Sequence, residues 1–141
     1  RQHMKDIKAL TLQDVKRIAA AAEAEARANG WAVSIAVCDG GGHALWLQRM
    51  DEAPLMSAMV APEKARTCVL SGKPSRVYEE MVNNGRFAAL KMPVVPLEGG
   101  EPIIVDGTVI GAVGVSGVKA GEDARVARAG VATVLAAGEA K

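Results

Sequence analysis

The chain has 141 residues, of which 50% are hydrophobic and only 3% aromatic, with 17 Lys and Arg against 16 Asp and Glu. That length suits one domain with a core assembled from Ala, Val, Leu, Ile and Met. The near-zero net charge, the absence of a basic block and the scattering of Trp31, Trp46, Tyr78 and Phe87 over separate segments exclude a nucleic-acid binder.

No apolar run approaches the roughly 20 residues of a membrane span, and no signal-peptide pattern opens the chain. Cys38 and Cys68 are far apart and have no CxxC partner, so both are expected as buried thiols in a reducing, cytoplasmic compartment. Arg1, Gln2 and His3 read as a remnant ahead of a natural initiator, Met4, and the domain is expected over 4–141.

Along the chain, Thr11 is placed to cap a helix that runs to Asn29-Gly30, with Leu10 and Val15 as a hydrophobic staple. Leu12, Val15, Ile18, Ala19 and Ala22 form its apolar stripe. Trp31 to Cys38 and His43 to Arg49 predict two strands joined by Asp39-Gly40-Gly41-Gly42. Pro54 to Leu70 reads as a helix that Pro62 should kink or restart, and Pro74 to Asn84 and Arg86 to Lys91 as two shorter helices. Pro102 to Val105 and Thr108 to Val115 flank Asp106-Gly107, a pair suited to a type I′ hairpin turn. A last helix starts at Gly121-Glu122-Asp123 and runs to about Ala137. The order predicts an α+β fold with a single antiparallel sheet of about five strands, flanked by terminal helices and a central helical insertion.

Three stretches can carry chemistry. Gly111, Gly114 and Gly117 form G-x-x-G-x-x-G after a strand, which is neither a dinucleotide nor a P-loop spacing. The glycines either let the strand pass close to a neighbour or, with Ser116 and the N–H groups opening the last helix, hold a carboxylate. Arg49 offers a planar fork of donors to a carboxylate, with Asp51 placed to orient it or to cap the next helix. His43 is a candidate acid/base group and iron ligand or else a solvated turn residue. Lys64, Thr67 and Cys68 share one helix face, where Lys64 can act as a base or anion clamp or lie along the surface. Glu79, Glu80 and Glu98 read as solvated charges.

Taken in order, Asp39 with Gly42, Arg49-Met50-Asp51-x-Ala53, Ser57, Lys64-Ala65-x-Thr67, Gly99-Gly100-x-Pro102, Asp106-Gly107 and the glycine run ending at Ser116-Gly117 resemble the GlcG/HbpS, or haem-degrading-domain, family. The resemblance spans Leu10 to Ala137. It implies a profilin- or roadblock-like domain that forms dimers or larger rings such as octamers, with relatives that include haem sensors and the C-terminal domain of a cobalamin adenosyltransferase. Haem-binding relatives tend to use a histidine near the first helix; here that helix has none, which leaves His43 as metal ligand, or Met50 or Met56. The expected protein binds haem or another tetrapyrrole, or a small organic acid, in a pocket built from Arg49, Met50, Lys64, Thr67, Gly99, Gly100, Ser116 and Gly117. The rival expectation is a tautomerase or lyase on a hydroxy or keto acid, with Asp51, His43 or Lys64 as acid/base. A third is an oligomer with an empty pocket.

Overall fold

The structure is a computed structural model that describes residues 3–139; Arg1 and Gln2, the first two residues of the expected remnant, lie outside the described residues. Helix α1 (Leu12–Ala28) starts at a capping box: the Thr11 hydroxyl accepts from the Asp14 N–H at 3.1 Å, and the Asp14 carboxylate accepts from the Thr11 N–H at 2.8 Å. Gly30, at φ 70°, turns the chain after the helix. Strands β1 (Ser34–Asp39) and β2 (Ala44–Arg49) then form the first hairpin, with a bulge between Val37 and Cys38.

Helix α2 (Ser57–Ser71) runs through Pro62 as one element and ends on Gly72 in the left-handed conformation, so the proline does not restart it. The shorter α3 (Arg76–Asn83) and a 3-10 turn (Phe87–Lys91) complete the insertion. Strands β3 (Gly100–Val105) and β4 (Thr108–Ser116) close on Asp106 and Gly107, both at positive φ as a type I′ turn requires. Helix α4 (Ala120–Glu139) follows.

The sheet has four strands in the order β2-β1-β4-β3, all antiparallel, which corrects the expected five. Trp31 to Val33 lies ahead of the first strand, and no further segment joins the sheet among the described residues. The two faces bury different material. Ile35, Val37, Val113, Val115 and Ile103 pack on the apolar stripes of α1 and α4, including Val15, Ile18, Ala22, Val126 and Val131. On the other face Ala36, Cys38, Ala112 and Gly114 meet α2, whose Ala61 and Ala65 lie directly on the strands. A side chain at Gly114 would overlap the carbonyl oxygen of Ala61 and come within 2.6 Å of the Ala65 nitrogen. The tight helix–sheet contact therefore depends on glycine here.

No helix among the described residues is long and apolar enough to cross a membrane. Both cysteines are free and buried, and burial pushes their thiols up, to about 11 at Cys38 and about 12 at Cys68. Neither forms a reactive thiolate near neutral pH.

Candidate ligand-binding site

Helix α2 crosses the sheet so that its middle reaches the start of β3 and the end of β4. Lys64 lies there, its side chain only 4% exposed, and its Nζ donates to the Val115 carbonyl at 2.9 Å and to Asp123 Oδ2 at 3.1 Å. Asp123, whose side chain is 3% exposed, uses its other oxygen to accept the Val118 N–H at 3.1 Å. One ion pair thus ties α2 to the last residues of β4 and the first turn of α4. Burial pushes the Asp123 carboxyl up from the ordinary aspartate range, with the Lys64 ammonium and the Val118 N–H pulling the other way.

Glycines fit around this pair. A side chain at Gly99 would come within 2.7 Å of Lys64 Nζ, and one at Gly100 would strike the Lys64 carbonyl and come within 2.8 Å of Cys68 Sγ. Gly100 donates to Ser75 Oγ at 2.8 Å, and Thr67 Oγ1 donates to the Glu63 carbonyl while accepting the Val95 N–H at 2.9 Å. The 92–99 loop is thereby laced to α2. Lys64, Thr67, Gly99 and Gly100 come together as a packed and satisfied floor.

Arg49, Ser34 and Ser116 are paired across three neighbouring strands, Ser34 opposite Arg49 on one side and opposite Ser116 on the other. Directly opposed residues project from the same face, and Ser34 marks that face as the α2 side, because its hydroxyl lies 2.7 Å from that of Ser57 at the start of α2. Arg49 is exposed, and its guanidinium has no ion pair or hydrogen bond among the described residues. Met50 is half-buried, its N–H donating to the Val33 carbonyl, and Asp51 is exposed just beyond. Gly117, at φ 143°, turns the chain directly after Ser116.

His43 lies elsewhere. It sits in the β1–β2 turn at the opposite end of β2, about 20 Å from Arg49 at the usual rise per strand residue. Its side chain is 81% exposed, with Nδ1 3.2 Å from Asp39 Oδ1. Asp39 also accepts the Gly41 and His43 N–H groups, and these bonds hold its carboxyl below the ordinary aspartate range. The three acid/base candidates are consequently not one constellation: His43 and Asp51 sit beyond opposite ends of β2, and Lys64 is sealed beneath α2. Among the described residues no group of three or more His, Cys, Asp or Glu could hold a metal ion.

Two hollows stand out. A small one of ≈70 Å³ separates β2 from α2, between Ala36, Trp46, Leu47 and Pro62. An open groove of ≈1190 Å³ runs between the chain ahead of α1, the β3–β4 turn and α4, with Leu10, Ile104, Ile110 and Val134 as apolar walls and Lys8 and Arg17 at its rim. Sequence reading missed Asp123 as a partner of Lys64, and it had Ser57 only as part of the family resemblance, without its contact to Ser34. Asp123 sits where an ordinary helix-opening acid would, and only the crossing of α2 over β4 reveals its partner.

These features define an α+β domain with a four-stranded antiparallel sheet, helices on both faces, a glycine-rich corner around Lys64 at the β3–β4 side and, on the opposite edge strand, an arginine with no partner among the described residues. The family model described as haem degrading protein HbpS-like matches residues 10–132, and the chain belongs to that family. It is similar to "Protein GlcG" of Escherichia coli (strain K12), 52% identical over 108 residues that make up 76% of this chain and 81% of the relative. Among solved structures it resembles Klebsiella pneumoniae protein ORFY, with a TM-score of 0.86, 29% identity and coverage of 96% of this chain and 97% of that one. It also resembles the PduOC:heme complex, with a TM-score of 0.80, 28% identity and coverage of 89% and 94%.

Proposed function

We propose that this chain is a cytoplasmic, oligomeric small-ligand-binding protein that takes up a carboxylate-bearing molecule at the Arg49–Ser116 end of the sheet. The observation that carries this reading is the unpaired Arg49 guanidinium, held on the same face and in register with Ser34 and Ser116. A planar fork of donors suits a carboxylate. Gly117 follows Ser116 at this end, whereas Met50 packs with the α1–α4 core on the other face, and Lys64, Thr67, Gly99 and Gly100 gather at the β3–β4 side of the sheet, away from Arg49 on β2. There Lys64 positions the end of β4 through the Val115 carbonyl and does not itself touch the ligand. The two buried free thiols support a reducing compartment.

The family, and the haem in the PduOC complex, bring a tetrapyrrole into consideration. The residues present fit it poorly. His43 is remote from Arg49, the described walls of the large groove carry no His, Met or Cys, and Met50, the chain neighbour of Arg49, packs with the α1–α4 core rather than beside the guanidinium. A small organic acid, gripped by the free guanidinium of Arg49, is the ligand that the chemistry of this end supports best.

Isothermal titration with lactate, glycolate, pyruvate and haemin separates these forms. The reading expects saturable heat with at least one hydroxy or keto acid. Saturable binding of haemin with a Soret shift, and of none of the acids, would move the assignment to the tetrapyrrole. No saturable binding of any of the four would overturn it.

A further inference from the structure

The outward strip of α2 is apolar at both ends and charged in the middle. Met56 is 70% exposed, Met59 75% and Leu70 52%, and between them lie Glu63 and Arg66, an exposed ion pair at 2.7 Å. The spacing of these five residues alternates three, four, three, four, the pattern of a helix seam that faces another helix. No segment among the described residues covers Met56 or Met59.

The strip is complementary to itself when reversed. About the point midway between Lys64 and Ala65, Met59 mirrors Leu70, Glu63 mirrors Arg66, and Met56 mirrors the aliphatic stem of Lys73. A two-fold axis through that point would set Met59 of one copy against Leu70 of the other, and Glu63 against Arg66 of the second copy, twice over. This is the reciprocity that an isologous interface requires. The charges agree as well, since exposed Asp51 and Glu52 precede α2 and exposed Lys73 follows it. Exposed Leu47 and Leu55 add apolar surface beside the N-terminal half.

We infer that α2 of this protein pairs antiparallel with α2 of a second copy, through Met59–Leu70 contacts around a central ring of Glu63 and Arg66. The inference rests on the oligomeric half of the reading above and not on the ligand. The seam is built from residues of α2 and does not use the Arg49 guanidinium, so substitutions at Glu63 and Arg66 test pairing apart from ligand binding.

Cross-linking tests it directly. Within one helix Met59 and Leu70 are about 16 Å apart at the ordinary helical rise, too far for a disulfide, whereas the seam juxtaposes them between copies. On oxidation the M59C/L70C variant should become a covalent dimer on a non-reducing gel, while M59C and L70C alone should not, the native cysteines being buried. In sedimentation experiments E63R should weaken dimerisation at least tenfold and E63R/R66E should restore it, with circular dichroism confirming the fold of each. A monomeric wild-type protein, cross-linking of the single variants equal to that of the double, or failure of the charge swap to restore the dimer overturns the inference. An intact oligomer without the 59–70 cross-link would leave the oligomeric reading standing and remove only this seam.

Discussion

Lys64 and Asp123 show how a buried charge holds three elements at one point. Removing only Lys64 strands the Asp123 carboxyl away from water, a loss of about 3–5 kcal/mol for buried pairs of this kind. Replacing both by neutral groups should recover much of it. Urea denaturation should therefore find K64A strongly destabilised and K64M/D123N closer to wild type; equal losses would contradict the pairing. Glu101 gives a second residue-scale prediction. Its Oε2 is buried without a hydrogen-bond partner, with the Arg128 guanidinium 3.9 Å away, and burial pushes its carboxyl up. Because the folded state favours the protonated form, stability falls as pH rises from the ordinary glutamate range through the higher folded value. E101Q should thus raise the melting temperature at pH 7, with the gain disappearing at about pH 3.5, where the unfolded glutamate is also protonated. A gain that does not change between these pH values would contradict the burial argument. The lysine was legible in the sequence as a special residue on the right helix face, but its acceptors were not, since Val115 and Asp123 are 51 and 59 residues away.

At the level of elements, the α2 contact with the sheet is set by small residues. G114A should cost about 3 kcal/mol or more, because the overlapping atoms belong to the Ala61 backbone, which cannot yield without moving the helix. G121A meets nothing within 4 Å in the first turn of α4 and should instead be neutral or stabilise by about 0.5–1 kcal/mol. Chemical unfolding of the two variants side by side checks the contrast, and similar losses would contradict the packing. Elements were readable where local chemistry governs them: the Thr11 cap, the Asp106-Gly107 turn and the apolar stripe of α1 all follow from adjacent residues. The G-x-x-G-x-x-G run left open a ligand loop or a close approach. At Gly114 packing decides for the close approach, and at Gly117 the chain turns beside Ala32 and Val33. The strand count was less legible, because the stretch ahead of β1 is as apolar as the strand itself.

For the whole molecule, the sheet order sets which candidates meet. With β1 and β4 central, Arg49 and Ser116 flank Ser34 at one end, and the hairpin turn carries His43 to the other. Sequence order alone joined His43, Arg49 and Asp51 because they are close in the chain. The strand expected over His43 to Arg49 already implied their separation, but only the sheet order shows which residues of other strands share the end of the sheet with Arg49. The α2 layer then gives the molecule two distinct surfaces, an outward seam and an arginine corner at the sheet edge. The arginine end of the sheet is the proposed grip on an acid. Titrating wild type and R49A with the acid that gives saturable heat tests it most directly. Since Arg49 is exposed and unpaired, the fold should be unchanged, and affinity should fall at least tenfold. Equal affinity of the two proteins, with both fully folded, would contradict it.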